Sequence, residues 1–161
     1  MRPKVPTARE VMTRRLVTVR PEMRAVEAAG ILLKHNISGA AVVDGDGNLL
    51  GLLSEYDCLR AVAAAEYDFD RHDVVVTVEE LMTTLTHTIP PEMDLFAIAH
   101  EFVNLRVRRF PVVEAGHLLG QVSRRDVLRA AYELRRKALR YKQYPDYPEG
   151  RAPIRDYPEG R

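Results

Sequence analysis

Leu49-Leu50-Gly51-Leu52-Leu53-Ser54-Glu55-Tyr56-Asp57 returns about seventy residues later as Leu118-Leu119-Gly120-Gln121-Val122-Ser123-Arg124-Arg125-Asp126. In both copies an apolar run passes through a glycine into Ser-x-x-Asp, the pattern of a buried strand turning directly into a capped helix. The likeness continues upstream. Thr7-Ala8-Arg9-Glu10-Val11-Met12-Thr13 matches Thr77-Val78-Glu79-Glu80-Leu81-Met82-Thr83, and Pro21-Glu22-Met23 matches Pro91-Glu92-Met93. One unit is therefore present twice, over 7–65 and 77–134. Duplicated units tend to pack on each other, so a cleft shared between the copies is the first place to seek function.

Each copy opens with a capping box, Thr7 with Glu10 and Thr77 with Glu80. Threonine accepts from an early helical N–H while glutamate reaches back to the cap. Short extended pieces follow at Leu16–Val19 and Thr86–Ile89, and Pro21 and Pro91 are expected in the first turn of a helix. Apolar residues at three-to-four spacing predict inward faces on those helices: Val26, Ala29 and Leu33 in one, Leu95, Ile98 and Phe102 in the other. Ala40–Val43 and Phe110–Val113 read as strands, each forming a hairpin with the next apolar run around Asp44–Asn48 or Glu114–His117. Helices are expected from Ser54 and Ser123, the last reaching about Lys142. The order β-α-β-β-α, twice over, predicts an α/β (α+β) fold with pseudo-two-fold symmetry. Residues 66–76 read as a polar linker, and 135–161 as a helix extension with a Pro/Tyr-rich tail in which Asp146-Tyr-Pro-Glu-Gly-Arg151 recurs as Asp156–Arg161. That tail is expected to be disordered or to dock as a peptide, because its prolines and glycines forbid regular helix.

Composition narrows the function classes. Of 161 residues, 46% are apolar and 29% charged, and the formal net charge is +1. No global field draws the chain to nucleic acid or to an anionic membrane. No apolar run approaches the roughly 20 residues of a membrane span. Cys58 is the single cysteine and is expected on a helix as a small buried hydrophobe. With no internal disulfide and no apolar leader, the cytoplasm is the expected compartment.

The two Ser-x-x-Asp sites admit two readings. As capping boxes they would stabilise each helix by about 1 kcal/mol. As ligand sites they would offer phosphate the free N–H groups of a helix N-terminus, and ribose a carboxylate. Recurrence behind Gly51 and Gly120 favours the second. Other constellations are weaker. Asp44-x-Asp46-x-Asn48 with Glu55 hints at a calcium loop, but Leu49 stands where such a loop needs glycine. His72 and the neighbouring acids show no ligand spacing, so no metal is predicted. Neither serine sits in a nucleophile elbow, and catalysis is not expected. Arg124, Arg125, Arg129 and the Arg135–Arg140 cluster could serve nucleic acid, but such a face is more often simply solvated.

In combination, Met-Thr near the start of each copy, Phe110-Pro111-Val112-Val113, and Gly-x-x-Ser-x-x-Asp-x-Leu-Arg in both copies resemble the tandem CBS-domain pair, or Bateman module. The resemblance covers about residues 7–134. It implies a regulatory sensor, a homodimer, an effector that is another chain, and an adenosine compound (AMP, ADP, ATP or S-adenosylmethionine) held between the repeats. By position it assigns one pocket to Ser54 and Asp57 with Thr88, Arg108, Arg109 and Arg125. A mirror pocket would use Ser123 and Asp126 with Thr18, Ile37, Ser38 and Gly39. Where the second copy has Arg108, Arg109 and Arg125, the first has Ser38, Gly39 and Tyr56. The Asp57 pocket is thus expected to gather three cations and to prefer a nucleotide phosphate, since charge-assisted contacts are roughly twice as strong as neutral ones. The alternatives are a dimeric scaffold without a ligand and a nucleic-acid-binding accessory protein.

Overall fold

The structure, a computed structural model, describes residues 3–65, 76–84 and 87–143. The tail repeat and almost all of the linker, His72 included, lie outside these residues. In the first half a short helix α1 (Ala8–Val11) precedes β1 (Thr18–Val19), α2 (Ala25–His35), the hairpin β2 (Gly39–Val43) and β3 (Leu49–Ser54), and α3 (Glu55–Ala65). The second half follows as α4 (Val78–Leu81), β4 (Thr83–Thr84), α5 (Leu95–Leu105), the hairpin β5 (Arg109–Glu114) and β6 (His117–Ser123), and α6 (Arg124–Gln143). β4 corresponds to the Thr13 step of the first half; the counterpart of β1, expected as an extended piece at Thr86–Ile89, is among the described residues a single parallel bridge from Ile89 to Val112.

Two local expectations are corrected. Pro21 and Pro91 sit in turns ahead of the helices, which begin later at Ala25 and Leu95. The turns close through Met23 N to Arg20 O and Met93 N to Pro90 O, both 3.2 Å, and the cap of α5 is Asp94, which accepts from Phe96 N and Ala97 N. On α2 the inward residues are Ala28 and Leu32, while Val26 and Leu33 are 67% and 77% exposed. That helix is apolar on two sides, so periodicity alone misassigned the buried one. On α5, Leu95, Ile98 and Phe102 are buried as the spacing predicted.

The repeats exchange their opening segments. Ala8 and Met12 pack into the core of the second half, among Leu95, Ile98, Phe110 and Val122. Val78 packs into the first, among Val19, Leu32, Val42 and Leu53. Free N–H groups at the start of a helix need acceptors, and the Pro-Glu-Met turns supply them. Ala8 N and Arg9 N donate to Met93 O and Pro91 O, and Val78 N and Glu79 N donate to Met23 O and Pro21 O.

The Met-Thr step then reaches the other repeat's hairpin. Thr83 and Thr84 pair with Leu52 and Gly51 as the edge of a sheet ordered β1-β2-β3-β4, and Thr13 bridges Gln121 beside β5 and β6. This crossing explains the repeated glycine. A Cβ on Gly51 would stand 2.7 Å from Thr83 O, and one on Gly120 would stand 2.6 Å from Thr13 O.

Both opening capping boxes form. Thr7 N donates to Glu10 Oε2 at 2.8 Å, and Thr77 N donates to Glu80 Oε2 at 2.7 Å. These backbone bonds are the largest cause holding both carboxyls below the ordinary glutamate value of 4.5. A depressed folded-state pKa contributes stability that is present above the unfolded value and lost as pH falls through the folded one. The melting temperature should therefore decline as pH drops below about 4.5, and the decline should be shallower in a Glu10→Gln, Glu80→Gln double variant. Some slope should remain, because hydrogen bonds from Asn48 also lower the Asp44 carboxyl. An unchanged slope in the double variant, measured by circular dichroism, would reject the attribution.

Candidate functional site

The two Ser-x-x-Asp sites are built alike. Asp57 Oδ2 accepts from Ser54 N at 2.8 Å and from Ser54 Oγ at 2.6 Å, while Asp57 N donates back to Ser54 Oγ at 3.3 Å. Ser123 and Asp126 repeat this at 2.9, 2.6 and 3.2 Å. Both are capping boxes, so the structural role is present in each copy. A ligand role has to come from what the serine faces.

Ser54 faces a cleft of about 550 Å³ at the seam between repeats. Its floor and walls come from Ser38 to Ala40, the end of β3, Thr83, Thr84 and His87, and the stretch Val107–Pro111. Arg108 and Arg109 line it, and Arg109 donates to Ser38 Oγ at 3.1 Å. Tyr56, 70% exposed, stands at its mouth. The cleft thus joins two guanidiniums, serine and threonine hydroxyls, and aromatic surface. That set suits a ligand with a phosphate at one end and a flat ring at the other. A second cleft of about 220 Å³ is lined by Thr13, Arg15, Leu16, Val17, Ile37, Gly39, Ala41, Arg109 and Gln121.

Several expected site residues are placed differently. Asp57 lies behind the wall of the main cleft, 6% exposed, with Oδ2 engaged by Ser54. Thr88 and Thr18 stand outside both clefts while their neighbours His87 and Val17 line them. Consecutive side chains on extended backbone point to opposite faces, so one residue of offset exchanges them. The same alternation sends Ser38 to the main cleft and Ile37 to the second.

Arg125, Ser123 and Asp126 line neither cleft. Ser123 ends β6, and Arg125 and Asp126 lie in the first turn of α6. Tyr56, the counterpart of Arg125 in the first repeat, lines the main cleft. Of the three arginines expected together, Arg108 and Arg109 line the main cleft, and the second cleft is lined by Arg109 with Arg15. Arg124 serves structure, donating at 2.6 Å to both Val107 O and Arg106 O beyond the end of α5. Thr83, Thr84 and His87 were missed as site residues. The repeated Met-Thr step was the available signal, but only strand pairing across the seam brings it to the cleft.

Cys58 is half-buried rather than fully buried on α3, packing against the first core. Burial, and then the Asp57 charge, push its thiol pKa upward, so it is poorly suited to nucleophilic work at neutral pH. Asp44 accepts from Asp46 N, Asn48 N and Asn48 Nδ2, the pattern of a hairpin turn. Among the described residues no helix is long and apolar enough to cross a membrane.

An intramolecular pair of α/β repeats with exchanged opening segments and clefts at the seam defines the class. Comparison with known proteins gives it a name. The sequence model of the CBS domain matches residues 8–64 and again 78–133. The chain belongs to the CBS domain family and carries two copies of the domain.

It is 30% identical to the CBS domain-containing protein YhcV of Bacillus subtilis, over 75% of this chain and 82% of that one. It also matches protein MJ1225 of Methanocaldococcus jannaschii at 27% identity, over 75% of this chain but only 41% of the relative's length. Among solved structures it superposes on CBSX2 of Arabidopsis thaliana in complex with AMP, with a TM-score of 0.70 at 28% identity, covering 81% of this chain and 98% of the other. The CBS domain pair of MJ0100, in complex with 5′-methylthioadenosine and S-adenosyl-L-methionine, gives a TM-score of 0.63 at 26% identity, covering 76% and 97%.

Proposed function

We propose that this chain is a regulatory module, without catalytic activity, that binds an adenosine nucleotide in the main cleft and signals to a partner chain through a change in the angle between its repeats. The observation that carries this reading is the cleft itself. Hydroxyl-bearing residues of both repeats, Arg108, Arg109 and the Tyr56 ring meet in one space at the seam. The AMP bound by CBSX2 and the adenosine compounds bound by the MJ0100 pair support an adenosine ligand.

A ligand held by both repeats favours one relative arrangement of them, and a difference in affinity between arrangements is what a signal requires. The serines do not resemble nucleophiles, since each hydroxyl donates to the aspartate of its own capping box. The single cysteine fits a reducing compartment such as the cytoplasm.

The same module is read as a homodimer. Helices α2 and α3 turn Leu33, Leu59 and Val62 outward, and α5 and α6 turn Val103, Leu128 and Tyr132 outward, each more than 60% exposed. Large apolar side chains left exposed on paired helices suit an interface, and two pseudo-equivalent sets suit pairing with a second copy about a two-fold axis.

A thermal-shift screen with AMP, ADP, ATP and S-adenosylmethionine tests the ligand, with light scattering on the same samples for mass. Ligand at a hundred times its Kd should stabilise the fold by about 2.7 kcal/mol. A rise with at least one compound and a dimeric mass are expected. Flat melting curves with all four would leave the scaffold reading in place, and a monomeric mass would remove the dimer.

A further inference from the structure

Gly39 and Arg109 occupy equivalent positions in the two repeats, and both residues line both clefts. They form the partition between the clefts at the pseudo-two-fold axis. There the symmetry breaks in one specific way: one copy contributes no side chain and the other contributes a guanidinium. Glycine at 39 keeps the space clear beside β3, where a Cβ would stand 2.9 Å from Leu53 O. The Arg109 guanidinium crosses the seam to donate to Ser38 Oγ at 3.1 Å. Arg109 is half-buried, its side-chain partner is a neutral hydroxyl, and among the described residues no carboxylate pairs with it. A partly desolvated cation held only by a hydroxyl is poised to exchange that contact for an anion.

We infer that Arg109 is a counter-ion shared by the two clefts, so that a phosphate-bearing ligand in the main cleft weakens the binding of a small anion in the second. This deepens the nucleotide-binding proposal and rests on it for the identity of the main-cleft ligand. A phosphate in the main cleft draws the guanidinium off Ser38, because a charge-assisted bond is roughly twice as strong as a neutral one. The fork then turns toward that anion, and fewer of its five N–H donors are left for a second. The main cleft keeps Arg108 in either state. The second cleft keeps only Arg15, which is exposed and therefore screened by salt.

The second cleft, at about 220 Å³, is below the roughly 300–1,000 Å³ of sites for drug-sized ligands. It fits orthophosphate better than a whole nucleotide. Coupling between sites is reciprocal and typically about 5- to 150-fold. A neutral nucleoside in the main cleft makes no demand on Arg109 and should leave the second cleft as it was.

The test is an NMR titration of the full chain with orthophosphate, following the amides of Thr13 and Gln121 for the second cleft and of Thr84 and His87 for the main one. Saturating AMP should weaken the orthophosphate response of Thr13 and Gln121 by about tenfold, and saturating adenosine should not. Arg109→Ala should remove the dependence on AMP, and Arg109→Lys should keep part of it. An orthophosphate affinity that is the same with and without AMP overturns the coupling, as does a dependence that survives in Arg109→Ala.

If AMP binds nowhere, the nucleotide reading fails separately. Pyrophosphate then takes its place in the main cleft, where antagonism with orthophosphate supports the shared cation. Independent binding of the two, or no response to orthophosphate at Thr13 and Gln121, rejects it.

Discussion

Ala8→Asp should open the core of the second repeat, although Ala8 belongs to the first by sequence. Ala8 is fully buried in the cluster that contains Leu95, Ile98, Phe102, Phe110 and Val112. A carboxylate placed there would be surrounded by the apolar side chains of that cluster. An uncompensated buried charge costs about 3–5 kcal/mol, a large share of the roughly 5–15 kcal/mol by which a domain is stable. The group would partly escape by taking up a proton, so the loss should be greater at pH 7 than at pH 4.

The mirror substitution, Val78→Asp, inserts the same charge among Val19, Leu32, Val42 and Leu53 of the first repeat. Native-state hydrogen exchange separates the two. Ala8→Asp should release the amides of Ile98 and Val112 before those of Leu32 and Val42, and Val78→Asp should reverse the order. If both variants loosen the two halves alike, the exchanged segments are not the energetic units of the fold.

Arg108→Ala should weaken AMP binding by about tenfold and leave adenosine binding nearly unchanged. Hydrogen bonds to charged groups contribute about 1.5–3 kcal/mol, and each 1.4 kcal/mol is a factor of about ten in affinity. Arg108 is exposed where it lines the main cleft, so salt screening keeps its effect near the lower end. Calorimetry at low and at physiological salt should show the AMP difference shrinking as salt rises. Arg125→Ala is the control, because Arg125 lines neither cleft. Equal losses for AMP and adenosine in Arg108→Ala would mean that the arginine packs against the ligand without reading its phosphate. An Arg125→Ala variant as weak as Arg108→Ala would mean that both guanidiniums reach one ligand.

Much of the architecture was legible because its causes are local. The capping boxes at Thr7 and Thr77, the hairpins around Asp44–Asn48 and Glu114–His117, and the inward face of α5 each follow from residues close together in the chain. Local pattern does not decide where a helix offers two apolar faces. Helix α2 is apolar on two sides, and only packing against Val78 and the first sheet decides which side is buried. The site was less legible than the fold for a related reason. A slip of one residue along extended backbone exchanges His87 for Thr88 and Val17 for Thr18, and sequence spacing does not resolve that slip.

By itself the sequence determined that one unit is used twice, that each copy joins a glycine-bearing strand to a capped helix, and that the copies differ in charge at positions 38, 39 and 56 against 108, 109 and 125. These are properties of residue type and short-range hydrogen bonding. Only the tertiary structure decided that the opening segments are exchanged, that Gly51 and Gly120 are small because the other repeat's threonine carbonyl passes over them, and that the charge difference falls on the axis. The reason is that each unit alone leaves an apolar face and a set of helix N–H groups unsatisfied. The twin supplies both, and that pairing across the seam places Arg109 between two clefts while Arg125 stands outside them.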